Sequence, residues 1–132
     1  MRRRGPHKAF GLFAHITWHT WRRQPWLRRQ DVEVVSDGIR RAAKRYNMNI
    51  LAQAVLTDHV HVLVSFRPQH ALAPFVRDAK SESARRLNQI RQPHVRWCRG
   101  YYAGSVSRSD IPATRVYLAQ QHQRHPDRIP PG

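Results

Sequence analysis

Two short apolar runs, Asn49 to Leu56 and His59 to Phe66, stand back to back with only Thr57-Asp58 between them. So short a connection lets the second run only double back on the first, which makes an antiparallel pair. The segments around it have their own periods. Phe10, Leu12, Ala14, Ile16 and Trp18 alternate along Ala9 to Trp18, as one face of a strand. Asp31 is placed to cap a helix whose apolar residues Val35, Ile39, Ala42, Ala43 and Tyr46 fall at i, i+4, i+7, i+8 and i+11. Leu72, Phe75, Val76, Ala79, Leu87 and Ile90 keep helical spacing, with Pro74 tolerable in the first turn. A stretch from Val95 to Ser107, broken at Arg99-Gly100, reads as extended. Asp110, with Pro112 close behind, starts a last helix reaching about His122 or Arg124. The order is strand, helix, strand, strand, helix, strand, helix. It predicts an α+β domain, a ferredoxin-like antiparallel sheet with helices packed on it.

At 132 residues the chain is expected to form one domain over residues 1–132, with loose ends at 1–7 and 126–132. No apolar run approaches the roughly 20 residues of a membrane span, and Met1 to Pro6 is not followed by a signal-peptide core. The lone Cys98 cannot pair within the chain. These features predict a cytoplasmic protein. Lys and Arg number 24 against 8 Asp and Glu, a formal charge of +16. Only Lys8, Lys44 and Lys80 among the basic residues are lysine. A codon bias explains arginine over lysine but not a threefold basic excess, so nucleic acid is the expected partner.

In Asp58-His59-Val60-His61-Val62-Leu63-Val64, His59 and His61 share one strand face at a Cα spacing of about 6.5–7 Å. Two imidazoles so placed can converge on one metal ion, or can be satisfied polar residues of a half-buried face. Tyr117 and Gln121 stand at i, i+4 and share a helix face. The pair can present a nucleophile and a carbonyl ligand together, or Tyr117 can be a packing aromatic. Trp21, Trp26 and Trp97 lie among Arg22, Arg23, Arg28, Arg29 and Arg99, the mixture of rings and cations that binds unpaired nucleic acid. Trp18 and Tyr102 are expected in the core, and His122 and His125 either touch DNA or face solvent.

Four segments, in order, carry a resemblance. Asp58 to Val64 looks like the HUH motif of the IS200/IS605 single-strand transposases and the related repeat-associated tyrosine transposases. His15 to Pro25 resembles that family's first strand and loop, and Gly104-Ser105-Val106-Ser107 the segment before its last helix. Val116 to His125 is similar to its tyrosine helix, although position 120 is Gln where the family usually has Asn, and the histidine pair is spread to His122 and His125. The resemblance implies an HUH-endonuclease fold, with His59, His61 and Gln121 as ligands of Mg²⁺ or Mn²⁺ and Tyr117 as nucleophile. It also implies single-stranded DNA hairpins as substrate, a 5′-phosphotyrosine intermediate, and a homodimer whose sites take histidines from one subunit and tyrosine from the other.

The chemistry agrees. A tyrosine phenol ionises only near pH ~10, so it attacks phosphate well where cations or a metal favour the phenolate. In-line attack also needs neutralisation of the charge on the phosphate. On ligand chemistry, imidazoles favour Mn²⁺ over Mg²⁺. Two rival readings stand beside the transposase. A non-catalytic or domesticated nucleic-acid-binding protein would have no need of His59, His61, Tyr117 and Gln121 together. A replication initiator or relaxase shares the chemistry but is usually larger.

Overall fold

The computed structural model describes residues 11–92, 94–121 and 130. Four strands form one sheet: β1 (Leu12–His19), β2 (Asn49–Val55), β3 (His59–Phe66) and β4 (Tyr102–Ser105). Three helices accompany them: α1 (Arg29–Arg45), α2 (Leu72–Ile90) and α3 (Ile111–Ala119), with 3₁₀ turns at Trp21–Arg23 and Arg108–Asp110. Every strand pair is antiparallel and the order is β2-β3-β1-β4. This is the α+β architecture expected from the hairpin and the helical periods, with β1 inserted between β3 and β4.

The register explains the core. Ala14, Ile16 and Trp18 of β1 face Val64, Val62 and Val60 of β3. All six are buried, and they pack against Val35, Ile39, Ala42 and Ala43 of α1 and Phe75, Val76, Ala79 and Leu87 of α2. Both helices therefore lie on one face of the sheet. They meet closely at Gly38, where a Cβ would stand 3.2 Å from the Ser83 backbone, a contact that leaves little room for a larger residue. Strand β3 is central and its opposite face is buried too: His59, His61 and Leu63 are all shielded from solvent.

The structure departs from the sequence-based expectations in three places. Helix α1 begins at Arg29, so Arg29 belongs to the helix rather than to the basic aromatic loop expected over residues 20–30, and Asp31 sits in the first turn rather than capping it. There its Oδ2 accepts the Arg28 N–H at 2.8 Å, which still satisfies an N-terminal donor. The extended stretch from Val95 to Ser107 contains only β4 as a strand, plus an isolated bridge between Thr20 and Trp97. Gly100, at φ +80°, turns the chain between them. Trp18 is in the core, but Tyr102 is 66% exposed. It sits on an edge strand opposite Thr17, on the sheet face away from α1 and α2. Ala9, Phe10, His122, Arg124, His125 and both expected loose ends, apart from Pro130, lie outside the described residues. No helix among the described residues is long and apolar enough to cross a membrane.

Candidate active site

Because the valines of β3 face the helices, His59 and His61 are forced onto the other face. Their ring centroids are 4.9 Å apart with the planes nearly perpendicular, at 77°. Each ring is held at Nδ1. The His59 Nδ1–H donates to the buried Asp58 carboxylate at 2.7 Å. The Nδ1 of His61 lies 2.9 Å from His15 Nε2 and 3.3 Å from the Thr17 hydroxyl. Such contacts fix ring rotation and tautomer, the role that neighbouring groups play around metal-bound histidines. Register supplies the β1 neighbours directly, since Thr17 pairs with His61 and His19 with His59. Burial holds His15 below its ordinary histidine pKa. Burial first, then the charges of Arg23 and His59, lowers His19. Both rings accordingly favour the neutral form.

Helix α3 crosses this face over β2 and β3. Small residues admit it: Ala52 and Ala54 of β2 stand opposite Leu63 and His61, and Leu118 of α3 is buried. The helix brings Tyr117 to 6.0 Å from the His61 ring and 6.1 Å from the His15 ring, edge-on to both. Gln121 is fully buried. Its Nε2 donates to the Tyr117 carbonyl at 3.1 Å, whereas its Oε1 has no hydrogen-bond partner among the described residues. Among the described residues no group of three or more His, Cys, Asp or Glu side chains is placed to hold a metal ion. The candidate donors for a divalent cation are the two oriented imidazoles and the buried amide oxygen of Gln121. A buried oxygen left without a hydrogen is costly unless something positive meets it.

The basic loop ends against the same site. Arg22 and Arg23 both adopt left-handed backbone conformations, at φ 53° and 52°. Such strain in non-glycine residues persists only where the surroundings enforce it. Here the loop is tied by Thr20 N–H to Asp58 O and by Trp21 N–H to Arg96 O, both at 2.8 Å. Arg23 donates to His19 Nε2 at 2.7 Å, and His19 lies 5.9 Å from His59. Arg22 and Arg96 each place a guanidinium 4.2 Å from the centre of the Trp21 ring. Arg28, Arg29 and Arg99 are exposed. Trp26 and Trp97 are half-buried against the core, and the Trp97 indole donates to Lys80 O at 3.1 Å.

The residues singled out in sequence thus divide. His59, His61 and Tyr117 come together, and Gln121 stands just past the end of α3, where its amide donates to the Tyr117 carbonyl. Trp26 and Trp97 are committed in part to packing. Asp58, His15, Thr17 and His19 belong to the site, although sequence reasoning gave them no role. For the three residues of β1 the signal was present: His15, Thr17 and His19 alternate with its apolar face and carry side chains able to hydrogen-bond.

Residues 8–121 match the protein family described as "Transposase IS200 like". The chain is 26% identical over 130 residues to the ISDra2 transposase TnpA of Deinococcus radiodurans, covering 92% of each chain. A solved transposase structure from D. radiodurans superposes with a TM-score of 0.68 at 29% identity, covering 92% of this chain and 98% of that one. A REP-associated tyrosine transposase bound to a REP hairpin has a TM-score of 0.69 at 15% identity, covering 95% and 73%, and so shares the fold.

Proposed function

The chain belongs to the IS200-like transposase family, a DNA-cleaving and strand-transferring enzyme class, and on that premise we propose that it cuts and rejoins single-stranded DNA beside hairpins through a Tyr117 phosphodiester. The observation that carries this reading is the meeting of Tyr117 with His61, 6.0 Å apart across a buried histidine face. A generic basic module has no use for that arrangement.

In this reading Tyr117 loses its phenolic proton and its oxygen attacks the scissile phosphorus. The phosphorus–oxygen bond to the neighbouring nucleotide breaks as the new bond forms, and the departing oxygen takes up a proton as a free hydroxyl. The resemblance to single-strand transposases implies a 5′-phosphotyrosine and a 3′-hydroxyl. The phosphodiester character is kept, so rejoining is the reverse attack and needs no ATP. His59, His61 and Gln121 would hold Mg²⁺ or Mn²⁺, which when bound polarises a phosphate oxygen and orients the scissile bond. Asp58, His15 and Thr17 hold the two imidazoles in place for that purpose. Arg22, Arg23, Arg28, Arg29 and Arg99, with Trp21, Trp26 and Trp97, would follow the backbone and unpaired bases. The hairpin bound by the structural neighbour supports a similar substrate here. Cutting at both ends of a DNA segment before they are exchanged needs two tyrosines, which a homodimer supplies.

The test is incubation of labelled single-stranded oligonucleotides, tiled from the gene's own genomic flanks, with the protein and Mn²⁺. We expect a covalent protein–DNA adduct from the wild type and none from Tyr117→Phe, with hairpin binding preserved within a few-fold. An adduct that survives Tyr117→Phe defeats the assignment.

A further inference from the structure

We propose that Tyr102 is the stacking platform for an unpaired base close to the phosphate that Tyr117 attacks. The inference deepens the reading above, since it takes single-stranded DNA as the substrate. Thr17 is the pivot of the geometry. It pairs with His61 on one side and with Tyr102 on the other. Directly opposed residues of antiparallel strands point to the same face, so Tyr102 shares the face of His59 and His61. Two strand spacings of about 4.8 Å separate it from His61, roughly 10 Å in all. A stacked strand advances 3.4 Å per nucleotide, so a base within about three nucleotides of the reacting phosphate reaches this ring.

The two halves of that face differ. Helix α3 lies over β2 and β3, while on β4 Tyr102 remains 66% exposed. A tyrosine ring so exposed offers an apolar face together with a polar hydroxyl tip. A Cβ on Gly104 would stand 3.0 Å from the Tyr102 hydroxyl oxygen and 3.4 Å from Cε2 and Cζ. The hydroxyl end of the ring thus leans along the strand over Gly104, toward the position opposite His15, where any Cβ would press on it. An open sheet face carrying an aromatic ring is how several folds take up unpaired bases, because every base has a π-face to offer. The cations needed for the phosphates stand at the end of the same β1 row, where Arg23 meets His19.

The competing role for the ring is to cover Gly104 and stiffen the edge strand. A variant series separates the two. Affinity for fluorescent oligo-dT is measured for wild type, Tyr102→Phe, Tyr102→Leu and Tyr102→Ala, with circular dichroism to confirm folding. Phe is expected to bind like wild type. Leu and Ala are expected to lose roughly 5- to 140-fold, the value of one base–aromatic stack. Irradiation of oligo-dT carrying 5-iodouracil should place the cross-link on Tyr102. Leucine keeps an apolar cover on Gly104 but offers no ring, so wild-type affinity in Tyr102→Leu overturns the platform. A cross-link map that omits Tyr102 overturns it too. Adduct formation by Tyr117, followed in parallel, reports on the transposase reading separately: its absence in wild type sinks that reading, whereas unchanged oligo-dT binding in the Tyr102 variants sinks only the platform.

Discussion

At the scale of single residues, the site is a set of imidazoles whose orientation is decided by their neighbours. His59 is the clearest case, because its Nδ1 is committed to the Asp58 carboxylate at 2.7 Å. That bond keeps the ring's tautomer fixed and raises its basicity toward a cation. Asp58→Asn removes the negative charge while its backbone oxygen still receives the Thr20 N–H. The fold should therefore persist while Mn²⁺ affinity, followed by titration calorimetry, falls about 10- to 100-fold. Unchanged affinity would mean that Asp58 serves packing alone. The i, i+2 spacing of His59 and His61 was enough to place both on one face, whereas the i, i+4 spacing of Tyr117 and Gln121 assumed a helix that in fact ends at Ala119, before Gln121. The role of Asp58 was not legible, because a residue at a turn declares no direction until the turn is built. Tyr102 misled for a related reason. Alternation shows which residues share a face but not which face a later helix will cover.

At the scale of elements, the strongly periodic segments were readable and the edges were not. Helix α1 buries Val35, Ile39, Ala42 and Ala43 as their spacing requires, and β3 buries its three valines. Strand β4 is four residues long and, among the described residues, pairs only with β1. Its pairing depends on a partner distant in sequence, so its limits were invisible locally. The α1–α2 pair carries a further consequence. Beyond the close approach at Gly38, the two helices are joined at their rim by Asp37 with Arg86 and by Arg45 with Asp78. Tyr46, next to the end of α1, also donates to Asp78 at 2.7 Å. The hydrogen bond from Arg86, then that from Arg41, holds Asp37 below the ordinary carboxylate value. Tyr46 does most to lower Asp78, and Arg85 most to lower Glu82. Carboxyls depressed in the folded state bind fewer protons than in the unfolded chain. Their stabilisation is present above the ordinary carboxylate range and is lost as pH falls through their lowered values. These groups are only partly shielded from solvent, so the effect is still weakened by salt. Melting temperature should fall below about pH 4, less steeply in high salt. A melting temperature constant from pH 6 to pH 3 would contradict the argument.

At the scale of the whole molecule, the charge of +16 is not spread evenly. Arg40, Arg41, Arg45, Arg77, Arg85, Arg86 and Arg91 are paired with carboxylates. Arg22, Arg23, Arg28, Arg29, Arg96 and Arg99 form no such pair among the described residues, and they gather on the loop after β1, the start of α1 and the segment before β4. Six arginines meeting phosphates of a single strand should give a slope of log affinity against log salt approaching about −4. A slope near zero in a fluorescence-anisotropy series would deny phosphate contact.

The arrangement of α3 bears on how two such molecules would share the work. Resemblance implied that tyrosine and histidines of one site come from different subunits. In the structure, Tyr117 stands beside the His61 of its own chain, and Leu118 and Gln121 are buried. Tyr117 and the two histidines are therefore assembled within one chain, and lifting α3 away would expose the Leu118 side chain to water. Mixing His61→Ala protein with Tyr117→Phe protein tests which arrangement cuts DNA. If each chain works with its own set, both members of a mixed pair lack one essential group, and no adduct forms at any ratio. If α3 is passed to the partner, one site in each mixed pair combines an intact tyrosine with intact histidines, and adduct formation returns. We expect the mixture to stay inactive. Recovered adduct would show instead that α3 leaves its own sheet before cleavage.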